Sequence, residues 1–239
     1  MKILVLAAHP DDEVLGMGGL LKKFSTSEHE VKVVFLASGI MARRSDDYNN
    51  STEYSISDKL IGDMEEQITH LQKDAKKALS ILGVKNIQFE GFPDNEMDMI
   101  SNLEITKKIE TIIDEFGPDT VYTHSQHDIN VDHRQICDAT ITATRPKKNS
   151  SVKEVISFEV PSSTEWYFPQ KFSPNIFVDI SKELKFKLKA MQAYKNELRE
   201  FPHPRSIEAL EIIAKRWGTV CGFNAAEAFC LVRSLIQNN

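Results

Sequence analysis

Apolar and polar residues alternate along the chain in two periods. From Lys2 to Ala8 the sequence reads Lys-Ile-Leu-Val-Leu-Ala-Ala, a nearly unbroken apolar run of strand length, as expected for a parallel strand covered on both faces. Behind it, Val14, Leu15, Met17, Leu20 and Leu21 form a helical stripe reaching about Phe24, with Asp11 or Asp12 placed to cap its start. The same alternation recurs. A second strand at Val31 to Leu36 is followed by a long polar segment from Ser38 to about Asp58, and helical spacing returns between Met64 and Leu82, ending near Gly83. A third strand is expected at Asn86 to Phe89, and a helix carrying Leu103, Ile105, Ile109, Ile112 and Ile113 stops at Gly117-Pro118. Thr120 to Thr123 is a fourth strand, and Asp132 or His133 opens a helix running to about Thr144. Strands at Val155 to Val160 and Asn175 to Asp179 follow, then helices starting at Ser181 and Ser206; Ala225 to Leu235 fits either strand or helix.

Strand and helix in alternation predict an α/β fold, Rossmann-like and doubly wound, with a mostly parallel sheet flanked by helices. No repeat, low-complexity tract or linker interrupts residues 1–239, so a single domain is expected. In the strand order 3-2-1-4-5 the first and fourth strands are neighbours, and ligands bind beyond their carboxyl ends, where the winding reverses.

Two polar clusters fall at those ends. His9-Pro10-Asp11-Asp12-Glu13 follows the first strand, and His124-Ser125-Gln126-His127-Asp128-Ile129-Asn130-Val131-Asp132-His133 follows the fourth; together they hold four of the seven histidines. Each cluster alone has a plainer reading: an Asp pair at a helix start is a cap, and a loop histidine such as His124 is a solvated polar residue. Their coincidence at one crevice favours chemistry. Imidazole and carboxylate suit zinc, and His9, Asp12 and His133 provide three ligands with a position left for water. Asp11, between two of them, is placed to act as general base, and amide hydrolysis becomes feasible at neutral pH. Iron(II) or another divalent metal would accept the same two-His, one-carboxylate set.

Composition narrows the classes. Thirty-five acidic residues against 29 Lys plus Arg leave a formal charge of −6, without the basic footprint of a nucleic-acid binder. No apolar run reaches the roughly 18–20 residues of a membrane span, and no A-x-A-like cleavage site follows the apolar start, so a cytoplasmic, unprocessed protein is expected. Three cysteines, Cys137, Cys221 and Cys230, with no C-x-x-C, suggest neither a disulfide framework nor a thiolate zinc site, and read as small core residues.

At the polar clusters the sequence resembles the PIG-L/LmbE-like family of zinc-dependent N-deacetylases. The resemblance rests on Ala8-His9-Pro10-Asp11-Asp12-Glu13 with Gly16, Gly18 and Gly19, and on Asp132-His133-Arg134. It extends to Phe92-Pro93-Asp94, Tyr194, Pro202-His203-Pro204-Arg205-Ser206 and Gly222 to Phe229. It implies a Rossmann-like fold and a zinc-dependent hydrolase that removes the N-acetyl group from an amino sugar or its conjugate, releasing acetate. By position, His9, Asp12 and His133 would bind zinc and Asp11 would act as base; a homo-oligomer is a further expectation of the family. Many members carry a histidine three residues before the last metal ligand, where this chain has Asn130. An amide can donate to an oxyanion but carries no charge, so Asn130 and His127 are both kept as catalytic candidates. Asp128, Asp132 and His203 are expected to support the ligands. Arg43, Arg44 and Asp94 are candidates for substrate contact, and Trp166 and Tyr167 could stack on a sugar face. The competing class is a non-catalytic or transferase-type protein that binds a sugar or nucleotide sugar. Against it, Gly16, Gly18 and Gly19 are wrongly spaced for G-x-G-x-x-G, and the acidic loop would repel a pyrophosphate.

Overall fold

The computed structural model describes residues 1–39, 58–148 and 150–236. Seven strands form one sheet in the order β3-β2-β1-β4-β5-β7-β6. They are β1 (Lys2–Ala7), β2 (Glu30–Ala37), β3 (Asn86–Phe92), β4 (Thr120–His124), β5 (Glu154–Phe158), β6 (Ile176–Asp179) and β7 (Ala226–Ser234). The helices are α1 (Asp12–Ser25), α2 (Asp58–Leu82), α3 (Asn102–Phe116), α4 (Val131–Ala143), α5 (Leu184–Met191) and α6 (Ile207–Cys221). β1 runs parallel to both β2 and β4, and β4 parallel to β5, so the 3-2-1-4-5 winding is as the alternation predicts. β7 pairs antiparallel with both β5 and β6, which makes the sheet mixed at that edge and identifies the ambiguous C-terminal segment as a strand.

The unbroken apolar run of β1 follows from two cores. Ile3, Val5 and Ala7 pack with α1 and α2, whereas Leu4, Leu6 and Ala8 pack with α3 and α4 on the opposite face, as the two-residue side-chain period of a strand requires. α1 lies so close to the sheet that a Cβ on Gly16 would sit 2.4 Å from a Phe158 ring carbon and 2.8 Å from the Glu159 carbonyl oxygen. α1 also breaks at Met17, where φ is −146°. Buried side chains satisfy the backbone groups around the break: Lys187 donates to the Leu15 carbonyl at 2.9 Å, and Glu227 accepts from the N–H groups of Gly19 and Leu20 at 2.8 and 2.7 Å. Lys187 and Glu227 pair with each other at 2.7 Å, so neither charge is buried alone.

Several boundaries differ from the sequence reading. β3 continues to Phe92. α5 starts at Leu184 rather than Ser181, because the Ser181 hydroxyl donates to Asp179 in a local turn instead of capping. α4 starts at Val131, with Asn130 as its cap: the Asn130 side-chain oxygen accepts from the N–H groups of Asp132 and His133. Of the cysteines read as core residues, Cys137 is buried, whereas Cys221 and Cys230 are partly exposed. Among the described residues no helix is long and apolar enough to cross a membrane.

Candidate active site

The carboxyl ends of β1 and β4 meet at the point where the winding reverses, and the two polar clusters meet with them. The Ala8 N–H, just past β1, donates to Nε2 of His124 at the end of β4 at 2.8 Å. The His124 ring stacks on that of His133, with centroids 4.0 Å apart and planes 12° from parallel. His124 is therefore no solvated loop residue: it is 0% exposed. Burial, then the charge of His133, holds it well below the usual histidine range.

His9, Asp12 and His133 converge, with one ligand atom from each lying within 4.8 Å of the others. Nδ1 of His9 lies 3.4 Å and Nε2 of His133 3.3 Å from Asp12 Oδ2. The opposite nitrogens are held by carboxylates. Nε2 of His9 meets Asp94 Oδ1 at 2.8 Å and Asp132 Oδ2 at 2.9 Å, and Nδ1 of His133 meets Asp128 Oδ2 at 3.1 Å. Those carboxylates are anchored in turn. Asp132 accepts from the backbone N–H groups of Asn95 and Met97, and Asp128 from the hydroxyls of Ser163 and Thr164 and the N–H of Asn130. Carboxylate-held imidazoles of this kind recur around protein metal ions. Asp12 Oδ1 and His133 Nε2 are buried without a hydrogen-bond partner, an unfavourable state that a cation bound between them would relieve. The donor set fits a divalent metal.

Burial and neighbouring charge act in opposite directions on these groups. Burial would raise Asp12, but His133 and His9 hold it well below the usual carboxylate range. Burial would lower His133, but Asp12 and Asp128 push it up to about 9. His9 is raised as well, against its burial, by hydrogen bonds to Asp12, Asp132 and Asp94. Two imidazoles thus share a buried cluster with four carboxyl groups, Asp12, Asp94, Asp128 and Asp132, an excess of acidic groups that favours a bound cation.

Asp11 stands apart from this cluster. It occupies the cap position of α1, yet its side chain makes no capping bond and its φ is 123°, a left-handed conformation unusual for a non-glycine residue. The simple capping reading of the Asp pair does not hold, since Asp12 Oδ2 accepts from the His9 N–H at 2.8 Å instead. The strained turn is braced from behind: Glu13 accepts from the Asp11 N–H at 3.0 Å and from the Tyr194 hydroxyl at 2.5 Å. Burial pushes Glu13 up to about 7 against those two bonds. Burial raises Asp11 well above the usual carboxylate range, opposed by Arg205 and reinforced by Asp12, Glu197 and Glu13.

A pocket of about 190 Å³ opens beside His9 and Asp11, lined also by Asp94, Asn130 and Arg205 among others. Asn130 is at its wall, but its amide is engaged: the oxygen caps α4 and Nδ2 donates to Asn95 at 3.0 Å. The His127 ring packs on Tyr167, whose ring also faces Arg134, and His127 is not among the pocket-lining residues. Asp94 lines the pocket and contacts His9. His203 accepts from the Arg205 N–H through Nδ1 and meets the edge of Trp166, away from the ligand cluster. Arg43 and Arg44 lie outside the described residues. Sequence reading missed His124, Glu197 and Arg205 as members of the site; the two polar runs bracket the first, whereas the others reach Asp11 only through tertiary folding.

Fold and site together define a doubly wound α/β protein with a two-His, one-Asp cluster fit for a divalent metal at its switch point. The chain belongs to the PIG-L family, described as GlcNAc-PI de-N-acetylase, whose match covers residues 4–144. It is 28% identical to the diacetylchitobiose deacetylase of Thermococcus kodakarensis, over 97% of this chain and 83% of that one. Among solved structures it is similar to N,N'-diacetylchitobiose deacetylase from Pyrococcus horikoshii, with a TM-score of 0.75 and 24% identity over 97% of this chain and 84% of that one. It is similar also to GalB, the 4-carboxy-2-hydroxymuconate hydratase of Pseudomonas putida KT2440, with a TM-score of 0.68 and 19% identity over 100% of this chain and 98% of that one. Deacetylase and hydratase share this fold, so the choice of reaction rests on the site.

Proposed function

We propose that the protein is a zinc-dependent N-deacetylase that hydrolyses the acetamide of an amino sugar or amino-sugar conjugate, giving acetate and a primary amine. The observation that carries this reading is the pairing of an oriented His9–Asp12–His133 cluster with Asp11, a buried carboxylate on the pocket wall that is spent neither on capping nor on the cluster. His9, Asp12 and His133 would hold the metal, which when bound supplies Lewis acidity towards the acetyl carbonyl and the attacking water. Asp11 takes the water proton and returns it to the leaving nitrogen. Asp132 and Asp94 orient His9, and Asp128 orients His133. Asn130, its amide engaged in the cap and with Asn95, shapes the pocket wall rather than replacing a charged acid. Membership of the PIG-L family and the diacetylchitobiose deacetylase relative support an N-acetylated amino sugar as substrate. We place the enzyme in the cytoplasm, whose reducing conditions suit its three free cysteines.

The test is acetate release from a panel of N-acetyl amino sugars by the wild type and by Asp11→Asn. The variant is expected to keep its metal and lose about 10²–10⁴-fold in kcat, the usual worth of a general base. Undiminished turnover in Asp11→Asn would remove Asp11 from the reaction.

A further inference from the structure

Asp11 Oδ2 lies 3.0 Å from Nη1 of Arg205, in the turn just before α6. Arg205 is fixed from several sides. Its Nε donates to the Ser162 hydroxyl at 2.6 Å, its Nη1 also reaches Glu197 Oε2 at 3.2 Å, and its backbone N–H donates to His203 Nδ1 at 3.1 Å. The side chain is a quarter exposed and lines the pocket with His9 and Asp11.

The contact with Asp11 is an ion pair without hydrogen-bond alignment: Asp11 Oδ2 receives no hydrogen bond from any described residue. That distinction matters for a base. Oδ2 is buried against the guanidinium, so the pair holds one carboxylate oxygen by attraction from the side and leaves the other, Oδ1, to accept the water proton. Glu197 competes for the same Nη1, so the cation is shared between two carboxylates. The backbone of Asp11 is fixed by its turn and by Glu13, and neither of these contacts reaches its carboxylate.

We propose that Arg205 is the positioning residue for Asp11, an off-axis ion pair that aims the carboxylate into the pocket while leaving its proton-accepting edge free. The assignment rests on the reading of Asp11 as general base. The alternative role for Arg205 is a structural strap joining its turn to Ser162 and Glu197. Such a strap would affect folding stability rather than the turnover of folded enzyme.

The experiment compares wild type, Arg205→Gln, Arg205→Lys, Asp11→Asn and the Asp11→Asn/Arg205→Gln double variant. Each is checked for metal content and thermal unfolding midpoint, then assayed for acetate release from N,N'-diacetylchitobiose and N-acetylglucosamine. Arg205→Gln is expected to lose roughly 10²-fold in kcat with KM within about threefold and metal retained, as a misaimed base predicts. Arg205→Lys should recover part of that loss, as should added guanidinium ion at non-denaturing concentration. Placed on Asp11→Asn, the Arg205→Gln change should cost nothing further, because residues acting as one unit are not additive. Arg205→Gln within threefold of wild type, a loss carried by KM, or a loss that multiplies with that of Asp11→Asn would overturn the proposal. If the wild type releases no acetate, it is the deacetylase reading that fails, and the pair is then read from unfolding of the same variants. Additive stability losses would overturn the pairing and the proposal with it; coupled losses would sustain the pairing.

Discussion

Asp128 shows how the site is built at the scale of single residues. It is buried, contacts Nδ1 of His133, and takes hydrogen bonds from two hydroxyls and a backbone N–H. Burial would raise it, but His133 and its hydrogen bonds to Thr164 and Asn130 hold it below the usual carboxylate range. It therefore fixes the ring so that Nε2 faces Asp12. Asp128→Ala is expected to weaken metal affinity by about 10–100-fold, the usual effect of removing a carboxylate behind a ligating histidine. Chelator competition measures this directly, and unchanged affinity would show that the ring holds its orientation without Asp128. That His9, Asp12 and His133 come together was legible in the sequence, because they lie in the two polar runs that follow β1 and β4, whose neighbouring places in the winding could be read from hydrophobic period. Glu197 carried no signal, and Arg205 entered only as part of the resemblance and without a role, since a charged residue in a turn does not reveal which distant group it will meet.

At the scale of elements, Glu110 ties α3 to the segment that follows α4. Its carboxylate meets Lys107 at 2.7 Å, Lys147 at 2.8 Å and Arg145 at 2.9 Å. Hydrogen bonds from Lys107 and Lys147 lower it to about 2 from an ordinary 4.5. Because the folded value lies below the unfolded one, its stabilisation is complete above about pH 4.5 and disappears as the pH falls towards 2. The cationic partners are about half exposed, so Glu110→Gln is expected to cost only about 0.5–1 kcal/mol. Urea unfolding of both proteins should show that difference at pH 7 and its loss near pH 2; a difference independent of pH would assign the effect to packing. The helices and parallel strands followed from apolar period and from stop signals such as Gly117. β7 did not: Ala226 to Ser234 lacks a clean alternation, and its strand conformation depends on ladders with β5 and β6, both remote in sequence. The caps at Ser101 and Ser206 are local and accept from Glu104 and Ala209. Asp11 holds a cap position without capping, and its strain belongs to the site.

Across the whole molecule, the winding places the ends of β1 and β4 side by side, and the buried Ala8–His124 hydrogen bond joins them. Two polar runs far apart in the chain become one cluster for that reason alone. The same sheet supports the Asp11 side of the pocket through α1, whose Gly16 allows close packing against β5 and whose break is held by Lys187 and Glu227. The fold is shared with a hydratase as well as with deacetylases, so the central claim is that this cluster binds a metal and uses it to hydrolyse an acetamide. The most direct test is made on one sample: metal content of protein purified without added metal, followed by acetate release from N-acetyl amino sugars before chelation, after chelation and after zinc is restored. The account predicts one metal per chain, loss of release with the chelator and recovery with zinc. Protein that takes up no metal even on reconstitution, or that releases acetate equally well without it, would contradict the account.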